Sequence, residues 1–119
     1  TETYDPESDI YRNETAVTFS TGASVSLVED ESWETYSSRV TITYGTGDIA
    51  SEMVEDDDSG DTEICRYQIT YRDGRTEETI LAGYLDYMER KQEIRDRMDD
   101  YMETGWDFVS TPAEVSVPN

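Results

Sequence analysis

The residue pattern predicts an α+β fold: a mainly antiparallel sheet of about five strands, then one long amphipathic helix, then a returning C-terminal strand. Three observations carry this expectation. Apolar residues between positions 15 and 72 alternate with polar ones, as they do in strands with one face buried. From Thr76 onward the period lengthens to about 3.5, the signature of a helix with one apolar stripe. The chain has 119 residues, enough for one hydrophobic core and too few for a second. The expected division is an N-terminal arm over residues 1–14, a single domain over 15–110 and an extended tail over 111–119.

Taken in order, residues 1–14 carry Pro6, scattered charge and no period, so nothing in them favours order in isolation; Tyr4, Ile10 and Tyr11 supply anchors. Val17, Phe19, Ala23, Val25 and Leu27 occupy odd positions of the next stretch, and Thr21-Gly22 interrupts it, which fits a bent strand or a tight hairpin. An acidic connection, Glu29-Asp30-Glu31, leads through Trp33 and Tyr36 to a strand from Arg39 to Tyr44 with Val40, Ile42 and Tyr44 on one face. Gly45 and Gly47 punctuate the chain before a short strand from Asp48 to Val54, and Glu55 to Gly60 reads as a turn. Glu63 to Tyr71 aligns Cys65, Tyr67, Ile69 and Tyr71, and Asp73-Gly74 closes that strand.

For the helix, Thr76 is an N-cap candidate, Glu77 and Glu78 suit the positive end of its dipole, and Gly105 suits its C-terminal cap. About 28 residues at about 1.5 Å each make roughly 42 Å, longer than the sheet of so small a domain requires. Ile80, Tyr84, Tyr87, Lys91, Ile94, Met98 and Tyr101 recur at alternating spacings of four and three, and Leu81, Leu85, Met88 and Met102 widen the stripe at both ends. Between Glu89 and Asp100 only Ile94 and Met98 remain among charges, so this part reads as a projecting arm, as a seam for a partner helix, or as one long helix lying on its own sheet. Trp106, Phe108, Val115 and Val117 suggest the returning strand, interrupted by Pro112.

Charge narrows the function classes. Asp and Glu number 29 against nine basic residues and no histidine, a formal charge of −20, which excludes recognition of nucleic-acid phosphates through a basic surface. Without histidine, Ser–His and Cys–His catalysis are excluded as well. The single cysteine allows neither an internal disulfide nor a multi-thiolate zinc site, and no apolar run reaches the roughly 18 residues of a membrane-spanning helix. Low hydrophobicity with high charge ordinarily marks disorder, but 11% aromatic residues and clean periodicity argue for a fold. Eight of the nine basic residues are arginine, with Lys91 the exception, a bias that resembles proteins of salt-in halophiles. At molar salt the Debye length falls to about 3 Å, so a carboxylate-dense surface no longer drives the chain apart. The competing reading is a nucleic-acid mimic, but the acids spread from Glu2 to Glu114 rather than along one face.

Specific sites are weighed against simpler readings. Glu55, Asp56, Asp57, Asp58, Asp61 and Glu63 superficially suit a hard cation, yet with Asp56 and Asp58 at loop positions one and three of an EF-hand, Asp61 falls on the obligatory glycine and Tyr67 on the bidentate glutamate. No metal or cofactor is expected. Cys65 alternates with core residues and reads as a buried small side chain. No carboxylate pair stands out for acid–base catalysis, so no enzyme activity is expected. Asn13-Glu14-Thr15 is a glycosylation sequon. Aromatics in arms, connections and the helix end point to contact surfaces, so Tyr4, Tyr11, Trp33, Tyr36 and Trp106, with Ile94, Met98 and Tyr101 of the helix stripe, form the expected partner interface. The function expected is a non-catalytic structural or adaptor subunit of a high-salt assembly, such as the capsid or tail of a haloarchaeal virus, with other protein subunits as partners in a homo- or hetero-oligomer. The alternative is an acidic regulator or nucleic-acid mimic bound to a basic protein surface. A high-salt cytoplasm or a virion is the matching location.

Overall fold

Short turns between segments of alternating polarity make pairing with the next segment the least costly topology. The computed structural model of the protein describes residues 2–110 except 8, 20, 21, 35 and 59, and the side chains of the helix as far as residue 103. In it, β1 (Glu2–Asp5), β2 (Ile10–Thr18), β3 (Ser24–Ser32), β4 (Ser37–Tyr44), β5 (Ile49–Asp57), β6 (Ile64–Tyr71) and β7 (Thr76–Ile80) precede α1 (Tyr84–Ser110). The strands form one antiparallel meander in sequence order, and the helix lies across one of its faces.

The α+β class stands, with an antiparallel sheet and one C-terminal helix, but among the described residues the sheet has seven strands rather than five. The residues expected to be an arm supply β1 and the start of β2. They carry no apolar period of their own; backbone pairing with β3 and the Arg12–Asp30 pair at 2.7 Å hold them instead. Thr76 does not cap a helix, because Thr76–Ile80 pairs with Thr70–Arg66 as β7. Asp73-Gly74 sets this up: Gly74 adopts φ +98°, its N–H donates to the Tyr71 carbonyl, and the Tyr71 N–H donates to Arg75, so the chain folds straight back. The break falls at Ala82-Gly83, and the Tyr87 N–H reaches the Gly83 carbonyl in the first turn of α1.

Gly105 does not end the helix. One interior glycine costs about 1 kcal/mol, which a helix already anchored by packing tolerates. Trp106 and Phe108 therefore belong to α1 and not to a returning strand, while Val115, Val117 and the tail lie outside the described residues. Gly45 has a different duty. A Cβ there would come within 2.8 Å of the Ser24 backbone nitrogen, so glycine lets the β4 end approach β3 and donate to the Ser24 carbonyl at 2.7 Å.

The core sits between helix and sheet. Val25 and Leu27 of β3, Val40, Ile42 and Tyr44 of β4, Val54 of β5, and Cys65 and Tyr67 of β6 face Tyr87, Ile94, Met98 and Tyr101 of α1. The thin part of the helix stripe is thus neither a free arm nor a partner seam. Ile94 and Met98 are fully buried against the home sheet, and the flanking cations reach sheet carboxylates: Arg95 meets Glu29 at 2.5 Å and Arg97 meets Glu52. With its cations turned inward, α1 exposes Asp86, Glu89, Glu93, Asp96, Asp99, Asp100 and Glu103 outward.

Candidate interaction site

Two inward-facing carboxylates on β5 organise the polar chemistry under and beside the helix. Glu52 is 6% exposed and sits in the middle of the covered face. Its carboxylate accepts from the Tyr44 hydroxyl at 2.7 Å, from the Tyr67 hydroxyl and from the Arg97 guanidinium, which also donates to the Tyr44 oxygen at 2.7 Å. Burial, reinforced by the hydrogen bond to Glu52, pushes both tyrosine hydroxyls far above their ordinary titration range, so they remain donors. Every arm of this cluster has a partner, and its role is to bind helix to sheet.

Asp56, four residues further along β5, is 9% exposed and lies in the cross-strand row Glu31, Ser38, Asp56, Cys65 at the end of the covered face where α1 begins. The Cys65 thiol donates to Asp56 Oδ1 at 3.4 Å, and Glu63 hydrogen-bonds Asp56, which raises the Glu63 carboxyl above the usual range. Burial first, and the Asp56 hydrogen bond second, push the Cys65 thiol up to about 12, so it is no nucleophile at neutral pH. Ligand atoms of Asp56, Glu63 and Cys65 lie within 4.8 Å of one another. Within this trio the thiol and the Glu63 carboxyl group are each hydrogen-bonded to Asp56.

Beside Asp56 opens a cleft of about 360 Å3, walled by the β3–β4 loop, the β5–β6 loop and the first two turns of α1. Trp33, Tyr36 and Tyr84 line it at 69%, 67% and 48% exposure, with Glu31, Asp56, Asp58, Glu63 and Lys91. Its floor is firm: the Tyr87 and Ser38 hydroxyls bond at 2.6 Å, the Tyr84 and Tyr87 rings lie 5.7 Å apart, and Lys91 Nζ stands 5.5 Å over the Tyr87 ring. Burial, with Arg95 next, lowers the Lys91 pKa. Exposed Leu85 and Met88 extend the apolar surface along the helix start.

The loop bearing Trp33 and Tyr36 is braced from both sides. Asp9 accepts the Glu34 N–H at 2.7 Å and the Tyr4 hydroxyl at 2.8 Å, while the Asp58 N–H donates to the Tyr36 carbonyl at 3.0 Å. Among the described residues the two non-glycine positions with positive φ are these same bracing points, Asp9 at +53° and Tyr36 at +50°. A bulky tyrosine in that region carries backbone strain of about 1–3 kcal/mol, held in place by the surrounding contacts.

Of the expected interface residues, Tyr4, Tyr11, Trp33 and Tyr36 gather at this end of the sheet: Tyr4 pairs with Tyr11 across β1 and β2, and Asp9 ties Tyr4 to the loop. Ile94, Met98 and Tyr101 do not join them. They are buried in the core under the helix, which corrects their assignment to a partner surface. Trp106 lies in α1 beyond the side chains described. Asn13 lies in β2 between Glu2 and Glu29 on the helix-covered side, an unfavourable place for a glycan. Tyr84 and Asp56 also line the cleft; by sequence the one reads as part of the helix stripe and the other as part of a turn, and only the packing of α1 on the sheet brings them together.

The opposite face of the sheet carries a ladder of alternating charge, Arg12, Asp30, Arg39, Glu55 and Arg66, across five adjacent strands. Ion pairs at 2.7, 2.6 and 3.5 Å link its members, Glu55 serving both Arg39 and Arg66. A hollow of about 210 Å3 beside it is lined by the same paired groups and by Ile10, so it offers less unspent chemistry than the cleft. No described helix is long and apolar enough to cross a membrane. Comparison with family models, with curated proteins and with solved structures found no match.

Proposed function

We propose that the protein is a non-catalytic interaction subunit of an assembly that works in concentrated salt, and that it docks a partner subunit through the braced aromatic loop at the start of the helix. The observation that carries this reading is the exposure of Trp33 and Tyr36 on a loop pinned by Asp9 and Asp58. Large aromatics left in water cost hydrophobic free energy, and a rigid presentation removes the ordering cost of binding. The anionic exterior supports the high-salt setting, since repulsion among so many carboxylates is screened there. A haloarchaeal virus particle, capsid or tail, is one assembly of that description. In about 2 M KCl the wild type is expected to self-associate or to sediment with its native particle. The Trp33→Ala, Tyr36→Ala double variant, with unchanged circular dichroism, is expected to remain alone. A solitary wild-type monomer in both assays overturns the proposal.

A second reading is an acidic regulator that covers a basic protein surface, and the seven carboxylates exposed along α1 from Asp86 to Glu103 favour it. It predicts a monomer whose binding weakens steeply with added salt and does not depend on Trp33.

A further inference from the structure

We propose that the cleft between Trp33, Tyr36 and Tyr84 is a dock for an arginine side chain presented by a partner protein, the guanidinium stacking on the rings and pairing with Asp58 and Glu63. This inference rests on the docking role of the aromatic loop and names the chemistry that the loop receives.

Charge complementarity selects a cation. The cleft sets the carboxyl groups of Glu31, Asp56, Asp58 and Glu63 against one ammonium, Lys91, which is already placed over Tyr87. Ring faces select the same class of guest, because the electron-rich face of Trp or Tyr attracts a cation within about 6 Å of its centroid. The combination favours guanidinium over ammonium: it is planar, weakly hydrated, stacks on rings and makes forked bonds to a carboxylate, whereas a strongly hydrated ammonium loses most of its advantage in molar salt.

The molecule uses this pairing elsewhere. Arg90 lies 4.3 Å over the Tyr67 ring and Arg75 lies 4.5 Å over Tyr71. Among the described residues the cation–ring pairs involve Tyr67, Tyr71 and Tyr87 and neither Trp33 nor Tyr36, which are 69% and 67% exposed. The arginine bias of the chain itself also bears on the guest: a partner shaped by the same solvent supplies its positive charge mainly as arginine. The volume of about 360 Å3 suits one extended side chain together with the peptide on either side of it.

The test uses the full-length protein in about 1 M KCl and calorimetric titration with four probes: a capped peptide carrying two arginines, its citrulline isostere, its lysine counterpart, and a neutral oligosaccharide. The arginine peptide is expected to bind saturably and at least about tenfold more tightly than the citrulline and lysine peptides. Trp33→Ala and the Asp58→Asn, Glu63→Gln pair should each weaken it by about tenfold, and Trp33→Tyr should retain most of the affinity. Equal binding of citrulline or lysine peptides, binding of the oligosaccharide alone, or no saturable heat overturns the inference. If the arginine peptide fails while Trp33→Ala still abolishes subunit association, this inference falls and the docking function stands. If association survives Trp33→Ala, the docking function itself falls.

Discussion

Glu52 and Asp56 lie on the same strand, face the same way and are buried to similar degrees, yet their surroundings are opposite in kind. Two hydroxyls and a guanidinium converge on Glu52, so the charge taken out of water is matched by donors and by a cation. Asp56 is offered a thiol and a second carboxyl group, and beyond them an open cleft. The helix explains the difference. Arg97 is placed over Glu52 by the same turn that buries Met98, whereas near Asp56 the helix has only just begun and supplies Tyr84 and an offset Lys91. A closed polar cluster holds the helix to the sheet, whereas the cluster around Asp56 borders an open cleft.

The sharpest way to break this comparison is to make the same chemical change at both positions. Glu52→Gln should cost about 3 kcal/mol in denaturant unfolding, because the amide leaves Arg97 without its carboxylate and turns a donor toward a tyrosine hydroxyl. Asp56→Asn should stay within about 0.5 kcal/mol of wild type, since removing that charge relieves its pairing with Glu63. Equal losses at the two sites would show that the polar surroundings do not distinguish them.

A smaller effect concerns pH. Glu63 holds its proton more tightly in the folded loop than in the unfolded chain, through its hydrogen bond to Asp56 and then the partial loss of water. Its contribution to stability is therefore full below the ordinary carboxylate range and is lost as pH rises through its raised folded value. Lowering the pH from about 7.5 to about 5 in dilute buffer should raise the thermal midpoint, helped by relief of the −20 charge. Glu63→Gln should show a smaller gain over the same interval. A fall in midpoint on mild acidification of the wild type would refute this sign.

The smallest expected change is chemical. With the Cys65 thiol buried and its pKa pushed up to about 12, labelling by a soluble disulfide reagent at neutral pH should be slow in the folded protein and rapid once it unfolds. The Asp56→Asn variant should label no faster, because burial is the first cause of the shift. Fast labelling of the native protein would mean that the cleft reaches the thiol, and the Asp56 region would then be more open than its burial indicates.

Much of the fold was legible in the residues because alternation and helical spacing report directly which side chains avoid water. Val40, Ile42 and Tyr44, and likewise Cys65, Tyr67 and Ile69, read as inward faces and are so. Tyr4, Tyr11, Trp33 and Tyr36, read from the sequence as contact residues, lie toward one end of the sheet, which their spacing along the chain does not reveal. β1, β7 and the acidic half of β5 were not legible. Their apolar content is too low to signal a strand, and their order comes from backbone bonds to neighbours already in place. Tyr84 and Asp56 gain their meaning from tertiary packing, which sets residues from β3, β5, the β5–β6 loop and α1 around one cleft.

Local chemistry alone therefore settled the acidic, arginine-biased composition, the antiparallel sheet followed by a helix, and the buried cysteine. Those properties depend on residue type and on spacing along the chain. Which carboxylates are enclosed with a cation, which are left facing a cleft, and whether Ile94 and Met98 serve the core or a partner were decided in three dimensions. The reason is that pairing depends on distance across strands and between layers, and a chain carrying 29 acids presents far more possible partners than its nine basic residues can satisfy until the fold selects among them.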